Sequence, residues 1–257
     1  MPEKLYFTET GSGRTTLVFL HYFGGSSRTW KEVTELLHHS FRCIAIDLPG
    51  FGNSAPLPAP AIENTVLKLE ALIEKLALNN YVLVGHSMGG KIALALAANQ
   101  PKGLKNLILV APSPPTPEPM DKAKKEELLK AFGNKETLKK IAKGLVAKSL
   151  TEIQLKYIIE DNLRIHHTAW QGWLDTGSVE DISSQVKNIV VPVTIISGSI
   201  DKTFSTTFLK TEFTKWFSNP IFIELPDAGH LLPVEVPENL ADVIRNEVNQ
   251  YTNRIVV

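Results

Sequence analysis

The stretch Tyr81-Val-Leu-Val-Gly-His-Ser-Met-Gly-Gly-Lys-Ile-Ala-Leu-Ala-Leu places a serine between two glycines as Gly85-x-Ser87-x-Gly89. An apolar, β-rich run precedes it and an Ala/Leu-rich run follows. The order is strand, sharp turn, helix, which is the context a nucleophile-bearing turn requires. A residue on so tight a turn is strained, and side chains two positions to either side would strike the strand or the helix. Glycine at 85 and 89 removes those clashes. The turn sets Ser87 at a helix N-terminus, where free amides and the positive end of the dipole favour a developing oxyanion. Met88 is positioned to supply one such amide. The chemistry implied is attack by a hydroxyl on a carbonyl carbon, through a covalent intermediate.

A serine hydroxyl needs a base, and neutral imidazole is the side chain best matched to pH 7. Of seven histidines, His38 and His39 lie at the end of an apparent helix, and His166 and His167 lie in a long helical stretch. These four read as solvated or packing residues. His21 and His86 fall near the site, but residue 86 should point away from Ser87 and reads as structural. His230 follows a strand, lies in the loop Pro-Asp-Ala-Gly-His-Leu-Leu-Pro and precedes the final helix. It is the expected base. The acid that orients it is expected to be Asp201, in Ile-Ile-Ser-Gly-Ser-Ile-Asp just past another strand end. Asp227 is a rival, more simply read as capping its loop, and Asp161, Asp175 and Asp181 are weaker still. In a parallel sheet the strand ends converge on one rim, so Ser87, Asp201 and His230 can meet there.

The elements that must position these residues are short β-branched runs: Thr16–Leu20, Arg42–Ile46, Tyr81–Val84, Leu107–Val110, Val193–Ile196 and Ile221–Leu225. Helical patterns lie between them, including Ile62–Leu76, Lys91–Ala98 and Leu240–Val248. The alternation predicts a doubly wound, mostly parallel α/β sheet, with an antiparallel edge strand near Leu5–Thr8. After a proline cluster from Pro112 to Pro119, about 65 residues show helical patterns and no strand. The expected division is a core of residues 1–112 and 187–257 with a helical cap insertion at 113–186. Three or four helices are expected there, among them Asp121–Phe132, Glu136–Lys148 and Glu152–Ile165. Phe132, Trp170 and Trp173 in the insertion have two readings, glue to the sheet or lining of a covered active site.

The 257 residues contain 27 Lys plus Arg against 27 Asp plus Glu, which leaves no global field to hold nucleic acid or an anionic membrane. A small neutral ligand is the expected partner. Composition at 43% hydrophobic and 21% charged is that of a globular protein with a sizeable core. The single Cys43 cannot form an internal disulfide, and the first residues lack a secretory signal pattern, so a soluble, cytoplasmic protein is expected. No ligand cluster has metal spacing, and neither metal nor cofactor is expected. Oligomeric state is not readable.

Together these motifs resemble the α/β-hydrolase superfamily over nearly the whole chain apart from the insertion. Leu20-His21-Tyr22-Phe23-Gly24-Gly25 is similar to the family's His-Gly oxyanion loop, and Asp47-Leu-Pro-Gly50-Phe-Gly52-Asn-Ser54 to its Asp-x-x-Gly-x-Gly-x-Ser segment. The resemblance implies that the amide of Phe23 joins that of Met88 in an oxyanion hole, and that Asp47 and Ser54 fix a loop. Tyr22 stands where the family usually has glycine, which predicts a narrower or more polar pocket floor. A serine nucleophile argues against the family's epoxide hydrolases and dehalogenases, which use aspartate. The expected activity is hydrolysis of a carboxylic ester, with a rate that rises with pH through about 6 to 7, as for an ordinary imidazole base. Perhydrolase or haloperoxidase-like activity ranks second, carbon-carbon bond hydrolysis third, and a triad-retaining ligand receptor is a distinct alternative. Tyr22, Phe23, Met88, Met120, Phe132, Trp170 and Trp173 are the expected lining of an apolar pocket suited to short or medium acyl chains or aryl esters.

Overall fold

In a computed structural model that describes residues 4–255, seven strands form one sheet in the order β1-β3-β2-β4-β5-β6-β7. They are β1 (Phe7–Thr10), β2 (Thr16–Leu20), β3 (Arg42–Ile46), β4 (Tyr81–His86), β5 (Leu104–Val110), β6 (Val193–Gly198) and β7 (Ile221–Leu225). All neighbours are parallel except β1, which runs antiparallel to β3 in the register Phe7↔Ile46. The central strands are buried on both faces, so their sequences are continuous apolar runs without alternation.

Side chains nevertheless divide by the pleat. Leu17, Phe19, Val82, Val84, Ile108 and Val110 meet a cluster built with Trp30, Leu37, Leu240 and Ile244. These belong to a 3-10 turn at Ser27–Trp30 and to helices α1 (Lys31–Leu37) and α11 (Pro237–Ile255) on one side of the sheet. Val18, Leu20, Leu83, Leu107 and Leu109 face the opposite cluster. That side carries α2 (Ile62–Lys75), whose Ile62, Val66, Leu69, Leu72 and Ile73 are buried on one stripe, α3 (Met88–Ala98), buried throughout, and α9 (Thr206–Phe213), which adds Leu209 and Phe213. Helices thus cover both faces, as a doubly wound sheet demands.

The edge strand is displaced two residues from its expected place. β3 ends at Ile46, so Tyr6 pairs instead with the loop beyond it: Asp47 N–H donates to Tyr6 C=O (2.9 Å) and Tyr6 N–H to Ser54 Oγ (2.8 Å). Leu5 is buried in the core rather than laid in the sheet.

Between β5 and β6 the chain forms α4 (Lys122–Ala131), α5 (Lys135–Leu145), α6 (Glu152–Arg164), α7 (His167–Gly172) and α8 (Ser183–Val186), with a π-helical turn at Trp173–Gly177. Five helices replace the three or four expected, because α7 and α8 are too short for a periodic signal. Asp121, Asn134 and Thr151 cap the first three, Thr151 with Gln154 as a reciprocal capping box. The segment is pinned to the core by buried Asp161 of α6, which accepts from Ser26 Oγ (2.7 Å) and from Arg28 Nη2 (2.6 Å) and Nε (3.0 Å). Among the described residues no helix is long and apolar enough to cross a membrane.

Candidate active site

The turn after β4 is strained as its sequence requires. Ser87 has φ 52° and ψ −116°, in the left-handed half of backbone space that residues other than glycine avoid. A Cβ at Gly85 would lie 2.5 Å from the Gly89 carbonyl oxygen, and one at Gly89 would lie 2.6 Å from the carbonyl oxygens of Leu20 and His21. No side chain fits at either place. The strain is held by hydrogen bonds on both sides of the serine. Its N–H donates to Val110 C=O (3.0 Å), and its own C=O accepts from Gly90 N–H (2.8 Å) and Ser113 N–H (3.0 Å).

Ser87, Asp201 and His230 come together at the rim of the sheet, from the ends of β4, β6 and β7. His230 Nε2 is 3.0 Å from Ser87 Oγ, and His230 Nδ1 is 2.8 Å from Asp201 Oδ2. All three are buried. The other Asp201 oxygen, Oδ1, accepts from the N–H groups of Thr203 (2.7 Å) and Phe204 (3.2 Å), which fixes the carboxylate and directs Oδ2 at the imidazole. That arrangement selects Nδ1–H on His230 and leaves Nε2 free to accept from the serine hydroxyl. Asp227 is exposed and merely donates its N–H to Ser199 Oγ (3.0 Å).

The histidine loop is anchored at four backbone groups, by Leu145, His86 and Glu235. His230 N–H donates to Leu145 C=O at the end of α5 (2.7 Å), and His230 C=O accepts from His86 Nε2 (2.8 Å). His86 is therefore structural, as expected, but it props the catalytic-type histidine directly. Burial holds its pKa well below the ordinary imidazole value, so it stays neutral. On either side of His230, Glu235 accepts from Gly229 N–H (3.1 Å) and Leu231 N–H (3.0 Å), and also from Ala147 N–H in the inserted segment (2.7 Å). Nothing in the residue pattern marks Glu235, which stands on the four-residue helix α10 (Leu232–Glu235).

The loop after β2 also holds its shape by local bonds. His21 Nδ1 donates to Tyr22 C=O (2.8 Å) while its Nε2 accepts from Leu48 N–H (3.0 Å), a neutral tautomer that burial favours further by lowering the pKa. Asp47 accepts from Ser27 N–H (2.6 Å) and Asn53 N–H (2.7 Å), and Ser54 Oγ–H donates to Asp47 C=O (2.6 Å). Tyr22 does not take a left-handed conformation. Its ring packs 5.2 Å from His86 and against Gly25, where an added Cβ would come within 2.7 Å of it. Glycine three positions further on thus makes the room that tyrosine needs. Among the described residues the N–H groups of Phe23 and Met88 have no protein acceptor.

A cavity of about 580 Å³ opens above Ser87 and His230, within the range that holds a small organic ligand. Tyr22, Phe23, Met120, Trp170 and Trp173 line it, with Leu174, Phe204 and Leu231. Two expected members do not. Phe132 packs behind Trp170 (5.9 Å between ring centres) and edge-on to His167 (5.0 Å), because Trp170 is held in front by its own Nε1–H bond to Leu128 C=O (3.1 Å). The Met88 side chain is turned into a small separate cleft beside Leu48 and Ile92. The wall is also less apolar than expected: Glu118 and Asn162 reach it, and exposed Lys140 and Lys202 stand at its rim. Among the described residues no group of three or more His, Cys, Asp and Glu could hold a metal ion.

A parallel sheet with a strained Gly-x-Ser-x-Gly turn at its rim defines the α/β-hydrolase class. Residues 17–243 match the alpha/beta hydrolase family, and the chain belongs to that family. A 97-residue stretch is 37% identical to 2-succinyl-6-hydroxy-2,4-cyclohexadiene-1-carboxylate synthase of Salmonella paratyphi B, a match that spans 38% of this chain and only 38% of that synthase. Among solved structures, an esterase from Exiguobacterium antarcticum superposes with a TM-score of 0.87 at 23% identity over 96% of both chains. A thermophilic esterase from Thermogutta terrifontis does so with a TM-score of 0.78 at 25% identity, over 96% of this chain and 93% of that one.

Proposed function

We propose that this protein is a serine hydrolase that cleaves carboxylic esters through an acyl-enzyme on Ser87. The observation that carries the reading is the continuous chain from Ser87 Oγ to His230 Nε2 (3.0 Å) and from His230 Nδ1 to Asp201 Oδ2 (2.8 Å), opening into a ligand-sized cavity. In this account His230 takes the serine proton as Oγ attacks the ester carbonyl. Asp201 stabilises the imidazolium that forms. The oxyanion is received by the amides of Met88 and Phe23, which have no other acceptor. Collapse transfers the proton from His230 to the leaving alcohol, and the same histidine then activates the water that frees the acid. The two esterase neighbours support this chemistry.

The test is steady-state hydrolysis of p-nitrophenyl esters from acetate to laurate, with wild type beside Ser87→Ala. Multiple turnovers by wild type and a loss of several orders of magnitude in the variant are expected. An undiminished variant would overturn the reading. A second reading rests on the local match to the synthase, namely that the same three residues act on a bond other than an ester. Silence on every ester by a protein whose Ser87 still reacts with a phosphonate would favour it.

A further inference from the structure

One carboxyl in the cavity wall has no part in the scheme above. Glu118 is half-buried and lines the same cavity as Ser87 and His230. Its backbone is fixed at both ends, since its N–H donates to Ser178 C=O (2.8 Å) and its C=O accepts from Met120 N–H (2.7 Å). Its Oε1 accepts from Ser113 Oγ–H (2.6 Å), and Ser113 N–H is the group that donates to Ser87 C=O (3.0 Å). The carboxyl is therefore tied to the peptide of the nucleophile through a single intervening residue.

The shelf beneath it is built at some cost. Lys91 of α3 is wholly buried, and its Nζ donates to Thr116 C=O (3.0 Å) and, at longer range, to Ser178 C=O (3.5 Å). It holds the 116–118 turn against residue 178, and among the described residues no salt bridge joins it to Glu118. Burial pushes the Glu118 pKa above the usual carboxylate range, with the Lys91 charge opposing that rise from a distance. Among the described residues nothing is hydrogen-bonded to Oε2. A carboxyl on a wall shared with Met120, Trp173, Leu174 and Leu231, with one oxygen bonded and the other without a protein partner, is a polar group able to accept from a ligand.

We propose that Glu118 is a specificity-determining residue whose Oε2 accepts a hydrogen bond from a hydroxyl or N–H group on the substrate, so that the preferred ester bears a donor rather than a plain hydrocarbon chain. This rests on the serine-hydrolase reading of the same cavity. A site built to satisfy a substrate donor discriminates against the analogue that lacks it, because an apolar group then displaces water from the acceptor and leaves it without a partner.

The experiment uses two matched pairs of esters in which a hydroxyl replaces a methyl group. Methyl 3-hydroxybutanoate against methyl 3-methylbutanoate probes the acyl side, and 2-hydroxyethyl butanoate against propyl butanoate the alcohol side. In at least one pair, wild type is expected to favour the hydroxylated member in kcat/KM by about 10- to 100-fold. Glu118→Leu should invert that preference. Glu118→Met, close to glutamate in length but with no hydrogen-bonding oxygen, should also lose the preference, and it guards against a leucine variant that does not fold. The same preference is read as a ratio of Kd values in a Ser87→Ala background, with and without Glu118→Met. A Kd preference that depends on Glu118 without wild-type turnover would sink the esterase reading while sustaining this one. Equal kcat/KM and equal Kd within both pairs, or a preference that survives Glu118→Met, would overturn the role of Glu118.

Discussion

Replacing Glu235 by alanine removes the clamp that joins the His230 loop to the inserted helices. Three backbone N–H groups, those of Ala147, Gly229 and Leu231, lose an anionic acceptor at 2.7, 3.1 and 3.0 Å. A hydrogen bond to a charged group contributes about 1.5 to 3 kcal/mol when water cannot replace it. Glu235 is half-buried, so water recovers part of each, and about 1 kcal/mol per bond is the retained loss. The sum is roughly 3 kcal/mol, which for a chain of this size lowers Tm by about 6 to 12 °C. The loss should also reach the chemistry. A displacement of the imidazole by about 1 Å costs on the order of 100-fold in rate, so kcat on a p-nitrophenyl ester should fall 10- to 100-fold with KM little changed. Hydrogen exchange should quicken at residues 147, 229 and 231 together. Glu235→Gln, which keeps one acceptor oxygen, should fall between. A Glu235→Ala protein with Tm within 2 °C and kcat within threefold of wild type would refute the claim that this carboxylate positions the histidine loop.

Two further outcomes follow from buried charge. Asp161→Ala strands Ser26 Oγ and the partly exposed Arg28, and should cost roughly 2 to 3 kcal/mol while making residues 113–186 more sensitive to limited proteolysis; an unchanged digestion pattern would show that α6 docks without it. Burial keeps His86 neutral in the folded state to well below the ordinary value, whereas the unfolded chain protonates it near 6.5. Its contribution is thus present above pH 6.5 and lost as pH falls below it, at about 1.4 kcal/mol per pH unit until the folded pKa is reached. Denaturant titrations between pH 7 and 5 should show that slope flattened in His86→Gln, and an identical slope would contradict it.

The site was more legible in the sequence than its surroundings. Ser87, Asp201 and His230 sit where strands end, and strand ends are marked by apolar runs closing on Gly, Ser and Asp. The strands Thr16–Leu20, Arg42–Ile46 and Ile221–Leu225 carry the bounds expected of them. Pairing partners are harder to read: β1 slid two residues because the length of β3, not the content of Leu5–Thr8, sets where the ladder stops. Tyr22 in place of the usual glycine is accommodated by Gly25 against its ring, a contact that only the folded loop reveals. Lining residues were the least legible. Phe132 and Trp170 have the same chemistry, and what puts one in front of the other is a tertiary hydrogen bond from Trp170 to Leu128. Glu118 and Glu235 gave no signal at all, since an isolated glutamate in a loop or on a short helix most often faces water.

The most direct test of the central claim is covalent. The protein is treated with a fluorophosphonate, from whose phosphorus an activated serine displaces fluoride to form a stable phosphonyl ester, and is then examined by intact mass and peptide mapping. One adduct per chain, on Ser87, is predicted, lost in Ser87→Ala and slowed by several orders of magnitude in His230→Ala. An unlabelled wild-type protein, or a label on any other residue, would contradict the account.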